Sequence, residues 1–230
     1  RICLAKGSPE VIMPLLKESA ARDKRNEWAV ATYKSLAHRG MRVLALAYKW
    51  VGPGDLALDD RDSVERDLDF AGLVAFECRV RSDSGTVVRA LRESGHHVAM
   101  LTGDAPLTAL HVAIKVNIGD VGKPALVLQQ SDKGLVWLAS DSEDADKAIP
   151  LKSPGVEELS RDNTLVATED SLMAAVEATQ GRLWNEVQWI QVFARLSPAG
   201  KAEVIRHVQE TPDHFVFMCG DGGNDVGALK

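Results

Sequence analysis

Cysteine is scarce in this 230-residue chain. Cys3, Cys78 and Cys219 are far apart and odd in number. They suit a reducing compartment and exclude a disulfide framework. Long apolar runs are missing as well: Val43–Tyr48 and Gly72–Phe76 are strand-length, far short of the ~20 residues a bilayer helix needs. No Lys/Arg block offers a phosphate-neutralising surface, and 27 basic against 33 acidic residues leave a net charge of −6. A general nucleic-acid binder is therefore not expected. The chain opens Arg1-Ile2-Cys3-Leu4, without an initiator Met or a charged-then-apolar signal segment, and stops at Lys230 just inside what reads as a helix. It reads as a piece of something longer. What is present is ordinary globular composition, 45% apolar and 26% charged, enough for one or two domains with a real core.

Residues 1–68 read as a short strand, a helix and a longer strand over Arg42–Val51, nearly continuous in apolar character. Gly52-Pro53-Gly54-Asp55 ends that strand, and Leu58–Leu68 reads as a charged, solvated helix. From Phe70 the texture changes. Strand-like Ala71–Val80, helix-like Ser84–Ser94, strand-like His97–Leu101 and helix-like Pro106–Val116 alternate, which indicates βαβ units and a parallel sheet. The pattern lapses between Gly119 and Asn163, where short strands (Ala125–Leu128, Leu135–Leu138) flank the acidic run Asp141–Asp146. That run lacks the mid-loop Gly and terminal Glu of a calcium loop and reads as solvated. Alternation resumes with strand Leu165–Ala167, helix Asp170–Ala178, strand Ile190–Phe193, helix Pro198–Gln209, strand Phe215–Met218 and a helix starting after Gly223.

Three βα junctions carry candidate chemistry. In FVFMCGDGGNDVGALK (Phe215–Lys230) an apolar strand runs into a glycine-rich turn. Asp221 stands at its carboxyl end, where open α/β sheets place their sites, and Asp225 stands four residues on. Paired carboxylates with few basic neighbours suit a hard cation such as Mg²⁺, and Asn224 adds a neutral hydrogen bond. The bland alternative is a turn whose aspartates cap a helix. Thr102-Gly103-Asp104 follows the strand ending at Leu101, where a hydroxyl and backbone N–H groups form a phosphate cradle, although such a tripeptide is also a common turn. Lys201 lies in the first turn of the helix opened by Pro198, after Arg195. The order hydroxyl, lysine, paired carboxylates fits transfer of a phosphoryl group to or from an acid.

In that order Thr102, Lys201 and Asp221/Asp225 resemble three motifs of the haloacid dehalogenase-like fold. Longer strings are more specific: KGSPE (Lys6–Glu10), RVLALAY (Arg42–Tyr48), MLTGD (Met100–Asp104), VFARLSPAGK (Val192–Lys201) and GDGGNDVGALK (Gly220–Lys230). Together they resemble the cytoplasmic catalytic region of a P-type ATPase. TGDAPLTALHVA and MCGDGGNDVGALK are similar to the type-five members, above all their endoplasmic-reticulum A-subgroup. Ala105 and Gly223 depart from the subgroup's usual Asn and Thr.

The resemblance implies an α/β architecture. The tail of a nucleotide-binding domain would cover 1–68. A haloacid dehalogenase-like phosphorylation domain would cover 69–230, with a variable insertion at about 119–163. It implies ATP as substrate and Mg²⁺ as cofactor. Lys6 would line the adenine site and Arg42 would reach ATP phosphate. Thr102 and Gly103 would bind the transferred phosphoryl group, with Asp104 and Arg195 on the nucleotide side. Lys201 would neutralise phosphoryl charge, and Asp221, Asn224 and Asp225 would form the metal corner. The aspartate that accepts the phosphoryl group belongs to an Asp-Lys-Thr-Gly-Thr string absent here and expected upstream of Arg1. Its strand would lie between those ending at Thr102 and Cys219, so a gap is expected there. Actuator and membrane domains of the same chain would be the partners, with this region on the cytosolic side of the endoplasmic-reticulum membrane.

Two other readings compete. A soluble phosphatase could use Asp60-Arg61-Asp62-Ser63-Val64, but Asp59 interrupts the apolar strand that should deliver it. A nucleotide-binding fragment without turnover is the second. His96-His97 reads as surface, Cys219 as a small buried residue closing a strand, and the scattered tryptophans form no stacking platform.

Overall fold

The computed structural model describes residues 1–17, 24–52, 64–77, 79–132, 134–142, 144–152, 154–212, 215–220 and 222–229, with the backbone alone for 24–26, 145 and 224. It divides into two compact units, Arg1–Arg79 and Val80–Lys230.

In the first unit, β1 (Ile2–Gly7), β2 (Met41–Trp50) and β3 (Asp69–Glu77) form an antiparallel sheet in the order β1-β2-β3. Between β1 and β2 lie α1 (Pro9–Ile12) and α2 (Lys24–His38). Successive strand residues face opposite sides, and the buried Val43, Ala45 and Ala47 of β2 point to a core with Ile12, Leu16 and Leu68. The other face leaves Ile2, Leu4, Trp50, Val74 and Phe76 exposed. β3 pairs with β2 from Met41↔Glu77 to Tyr48↔Asp69, so it belongs to this unit. The boundary between the two compact units falls at Arg79/Val80. Of the helix expected over Leu58–Leu68, residues 58–63 lie outside the described residues. Leu68 is not solvated: it is fully buried and bridges Leu16 just before β3.

The second unit begins with α3 (Ser84–Glu93), β4 (Met100–Leu101) and α4 (Pro106–Lys115). Next come β5 (Ala125–Ser131), β6 (Gly134–Ala139) and β7 (Ile149–Pro150). After α5 (Val156–Asp162) follow β8 (Thr164–Thr168), α6 (Glu169–Ala178), β9 (Val192–Ala194) and α7 (Pro198–Gln209). Among the described residues the sheet runs β4-β9-β8-β5-β6-β7. The β4/β9, β9/β8 and β8/β5 pairs are parallel, whereas β5/β6 and β6/β7 are antiparallel. The expected all-parallel sheet is thus mixed. A two-residue connection at 132–133 forces the β5–β6 hairpin, because a parallel pair needs a long crossover. The stretch read as a lapse in the pattern extends the sheet by three strands.

Helices cover both faces, which is why β8 reads as a continuous apolar run. Leu165, Val166 and Ala167 are all fully buried. Leu165 and Ala167 pack with Leu172 of α6 and Val204 of α7, and Val166 packs with Ala109 and Ala113 of α4.

Two expected elements differ. The segment 215–220 belongs to no strand, and Phe215 and Phe217 are 101% and 92% exposed. β4 itself pairs with β9 alone among the described residues. After Gly222 the chain forms a 3-10 turn, Gly223–Asp225, in place of an α-helix. No helix among the described residues is long and apolar enough to cross a membrane.

Candidate functional site

The register of the two parallel strands β4 and β9, Met100↔Val192 and Leu101↔Phe193, brings their carboxyl ends side by side. The loops that follow are joined through the backbone. Thr102 N–H donates to the Phe193 carbonyl (2.9 Å), Leu196 N–H to the Thr102 carbonyl (3.0 Å) and Arg195 N–H to the Asp104 carbonyl (3.0 Å). These bonds hold Arg195 at φ 55°, a left-handed conformation that costs a non-glycine residue about 1–3 kcal/mol and collects at functional sites. Thr102 Oγ1 accepts from Asp104 N–H (3.1 Å), so its own hydroxyl proton remains available to a ligand. Gly103 and the Arg195 side chain are exposed.

Ser197 caps α7, its hydroxyl accepting from Gly200 N–H (3.0 Å), and Pro198 opens the helix. This fixes the turn that carries Lys201. The lysine is buried, and its Nζ donates to Asp225 Oδ1 at 2.6 Å, with side chains only 6% and 10% exposed. Lysine is almost never so buried without a partner. Asp225 Oδ2 accepts from Gly222 N–H (3.2 Å). The hydrogen bond from Lys201, then that from Gly222, hold the Asp225 carboxyl below the usual carboxylate range against the opposing effect of burial. The pair's stabilisation is therefore complete above the unfolded aspartate value, near ~3.9, and is lost as pH falls through the lower folded value.

Gly220 is needed for this packing. A Cβ there would lie 2.7 Å from Asp225 Cβ and 2.8 Å from its Cγ and Oδ2. Gly220→Ala is expected to displace the carboxylate from Lys201 and lower the thermal midpoint by about 2–4 °C or more, measured by calorimetry; an unchanged midpoint would show that the turn absorbs the methyl group.

Lys6 and Arg42 are exposed residues of the first unit. Lys6 pairs opposite Leu46, and Leu46 and Arg42 are four residues apart on β2, so both cations share the sheet face turned away from the core, about 13 Å apart along the strand. Phe76 stands directly opposite Arg42 on that face. Asp221, which the sequence assigns to the metal, lies outside the described residues, as does Asp60, and only the backbone of Asn224 is described. An ionised Asp225 carboxylate fits a hard divalent cation by donor chemistry.

The structure adds Glu169, for which nothing in the sequence stood out. Its Oε2 accepts from Ser197 N–H (2.5 Å) and its Oε1 from the Ser197 hydroxyl (2.8 Å). Pro198 is legible as a helix start, but the carboxylate that holds Ser197 before it comes from 28 residues away. Cys219 is exposed, contrary to the buried position expected, since among the described residues 215–220 pairs with no strand. His96 and His97 are exposed, and His97 meets the Trp189 ring edge-on.

The chain is 38% identical over 235 residues to the protein of Arabidopsis thaliana named "Probable manganese-transporting ATPase PDR2", covering 100% of this chain and 19% of that protein. Over 232 residues it is 36% identical to the endoplasmic reticulum transmembrane helix translocase of Schizosaccharomyces pombe, with 98% and 18% covered. These relatives match along essentially the whole chain. The chain belongs to the P-type ATPase family. A third relative, the human polyamine-transporting ATPase 13A3, is 30% identical over 250 residues, covering 98% of this P-type ATPase chain and 20% of its own. The chain spans about a fifth of the length of these curated relatives. No protein-family model matches it.

Proposed function

We propose that this chain is the catalytic segment of a type-five P-type ATPase that hydrolyses ATP through an aspartyl-phosphate intermediate and thereby drives transport across a membrane. The observation that carries the reading is the buried Lys201–Asp225 pair, in the same unit as the strand end that presents Thr102. Such a constellation can receive a phosphoryl group and neutralise the charge that builds on it. Electrostatic stabilisation of that charge supplies most of the rate enhancement in phosphoryl transfer.

In this mechanism the Thr102 hydroxyl and the N–H groups of the 102–104 turn bind phosphoryl oxygens. Lys201, held by Asp225, meets the developing negative charge. Asp104 and Arg195 face the nucleotide. Asp221 and Asp225, with Asn224 beside them, would hold Mg²⁺, which supplies further charge neutralisation at the phosphate. Lys6 would line the adenine site and Arg42 would meet ATP phosphate, on a sheet face whose exposed Leu4 and Phe76 suit an apolar ring.

We place the division of labour as a nucleotide-binding tail followed by a haloacid dehalogenase-like phosphorylation domain. Among the described residues β4 pairs on one side only and the segment 215–220 pairs with no strand, which supports a further strand between them, the one that would deliver the phosphorylated aspartate. The remaining partners are then the actuator and membrane domains of the same chain, in the endoplasmic-reticulum membrane with this region facing the cytosol. As the work done we place dislocation of transmembrane segments ahead of cation transport, in line with the relative named as a transmembrane helix translocase, while two of the relatives are named as transporters of manganese and of polyamine. The test is incubation of the full-length protein with γ-labelled ATP and Mg²⁺. An acid-stable, hydroxylamine-labile phosphoprotein is expected; ATP bound without any phosphoprotein would favour a nucleotide-binding role.

A further inference from the structure

The first turn of α7 is built around a carboxylate from a neighbouring strand end. β8 and β9 are parallel, with Thr168 paired to Ala194, so the residue after β8 lies beside the turn that follows β9. That residue is Glu169, anchored by its own helix start: Thr168 accepts from Ser171 N–H, and Ser171 answers by accepting from Thr168 N–H. Both Glu169 oxygens are spent on Ser197, one on its N–H and one on its hydroxyl. The same hydroxyl accepts from Gly200 N–H, and Lys201 N–H donates to the Ser197 carbonyl (3.0 Å). A Cβ at Gly200 would lie 2.7 Å from Glu169 Cδ and 2.8 Å from both its oxygens. The helix thus lacks a side chain where the carboxylate sits, and the negative charge complements the helix's amino-terminal end.

From these contacts we infer that Glu169 is the positioning residue for Lys201: it fixes the rotation and depth of the α7 amino terminus, and so the line from Lys201 Nζ to the reacting phosphoryl group. Glu169 acts through Ser197 and touches no reacting atom. The inference rests on the role proposed above for Lys201.

The experiment measures the rate of phosphoenzyme formation in the full-length enzyme, per ATP-binding molecule, at saturating and limiting ATP. Glu169→Ala is expected to slow the saturated rate about tenfold or more, the effect of misplacing a catalytic group, and to leave the ATP concentration at half-saturation within about twofold. A purely structural role would reduce the amount of folded enzyme without changing that rate. Glu169→Gln should stay within about threefold of wild type, because its carbonyl still accepts from Ser197 N–H while its amide donates to the hydroxyl. Gly200→Ala should reproduce Glu169→Ala, since the added methyl group displaces the carboxylate. In the Glu169→Ala background the same change should cost nothing further, because its obstacle is gone. Wild-type rates in Glu169→Ala, or losses that multiply in the double variant, would overturn the inference. Lys201→Met is the control. Its failure to slow the reaction would remove the reading of Lys201 itself, whereas a slow Lys201→Met beside a normal Glu169→Ala would remove only the role of Glu169. Should Glu169→Ala not fold, Gly200→Ala and Glu169→Gln decide between the same outcomes.

Discussion

Lys201→Met should lower the rate of phosphoenzyme formation in the full-length enzyme about 10²–10³-fold, the range found when one preorganised donor to a developing anion is removed. Two separable effects combine in that variant. The chemistry loses its ammonium, and Asp225 is left buried with one oxygen still on Gly222 N–H and the other unpaired. The double variant Lys201→Met with Asp225→Asn removes the second effect, and with it the charge that Asp225 would offer Mg²⁺. It is expected to recover much of the thermal stability lost in Lys201→Met and none of the rate. Recovery of the rate in the double variant would mean that the lysine serves packing alone. Acid should weaken the wild-type pair in the same sense, since protonation of Asp225 below the unfolded aspartate range removes the charge that Lys201 answers.

Asp221→Asn should abolish Mg²⁺-dependent phosphorylation, with a loss of about a thousandfold or more. Asp225 shares its carboxylate oxygens with Lys201 Nζ and Gly222 N–H, so in the proposed mechanism the charge of Asp221 carries most of the hold on Mg²⁺. The substitution keeps the size of the side chain while replacing a charged acceptor oxygen by a neutral amide, so nucleotide binding, measured with a non-hydrolysable ATP analogue, should stay within about twofold. Wild-type phosphorylation in Asp221→Asn would refute the assignment.

The sequence is most legible where one strand's own residues decide its fate. Leu165–Ala167 is legible as a strand because the run is apolar throughout, and Pro198 marks a helix start unaided. It is least legible where a distant partner decides. Ala71–Val80 has the texture of the second domain, yet pairing with β2 assigns Asp69–Glu77 to the first unit. Phe215–Met218 has the alternation of a strand, with Phe215 and Phe217 exposed and Val216 and Met218 half-buried. Apolar content sets a demand for burial, but a ladder needs a neighbour, and among the described residues this segment has none. The same limit holds at the site. Lys201 and Asp225 are both legible, but as separate tools, because a contact across 24 residues leaves no local trace. Glu169 escapes sequence reading outright, since a glutamate opening a helix is ordinary by position.

Locating the phosphoryl group tests the proposed mechanism at its centre. The full-length protein would be labelled from ATP, the acyl phosphate trapped by reduction, and the modified aspartate mapped by mass spectrometry. One modified aspartate is expected, within an Asp-Lys-Thr-Gly-Thr string upstream of Arg1, and none among residues 1–230. A label on Asp60, or on any other aspartate of this chain, would overturn the mechanism.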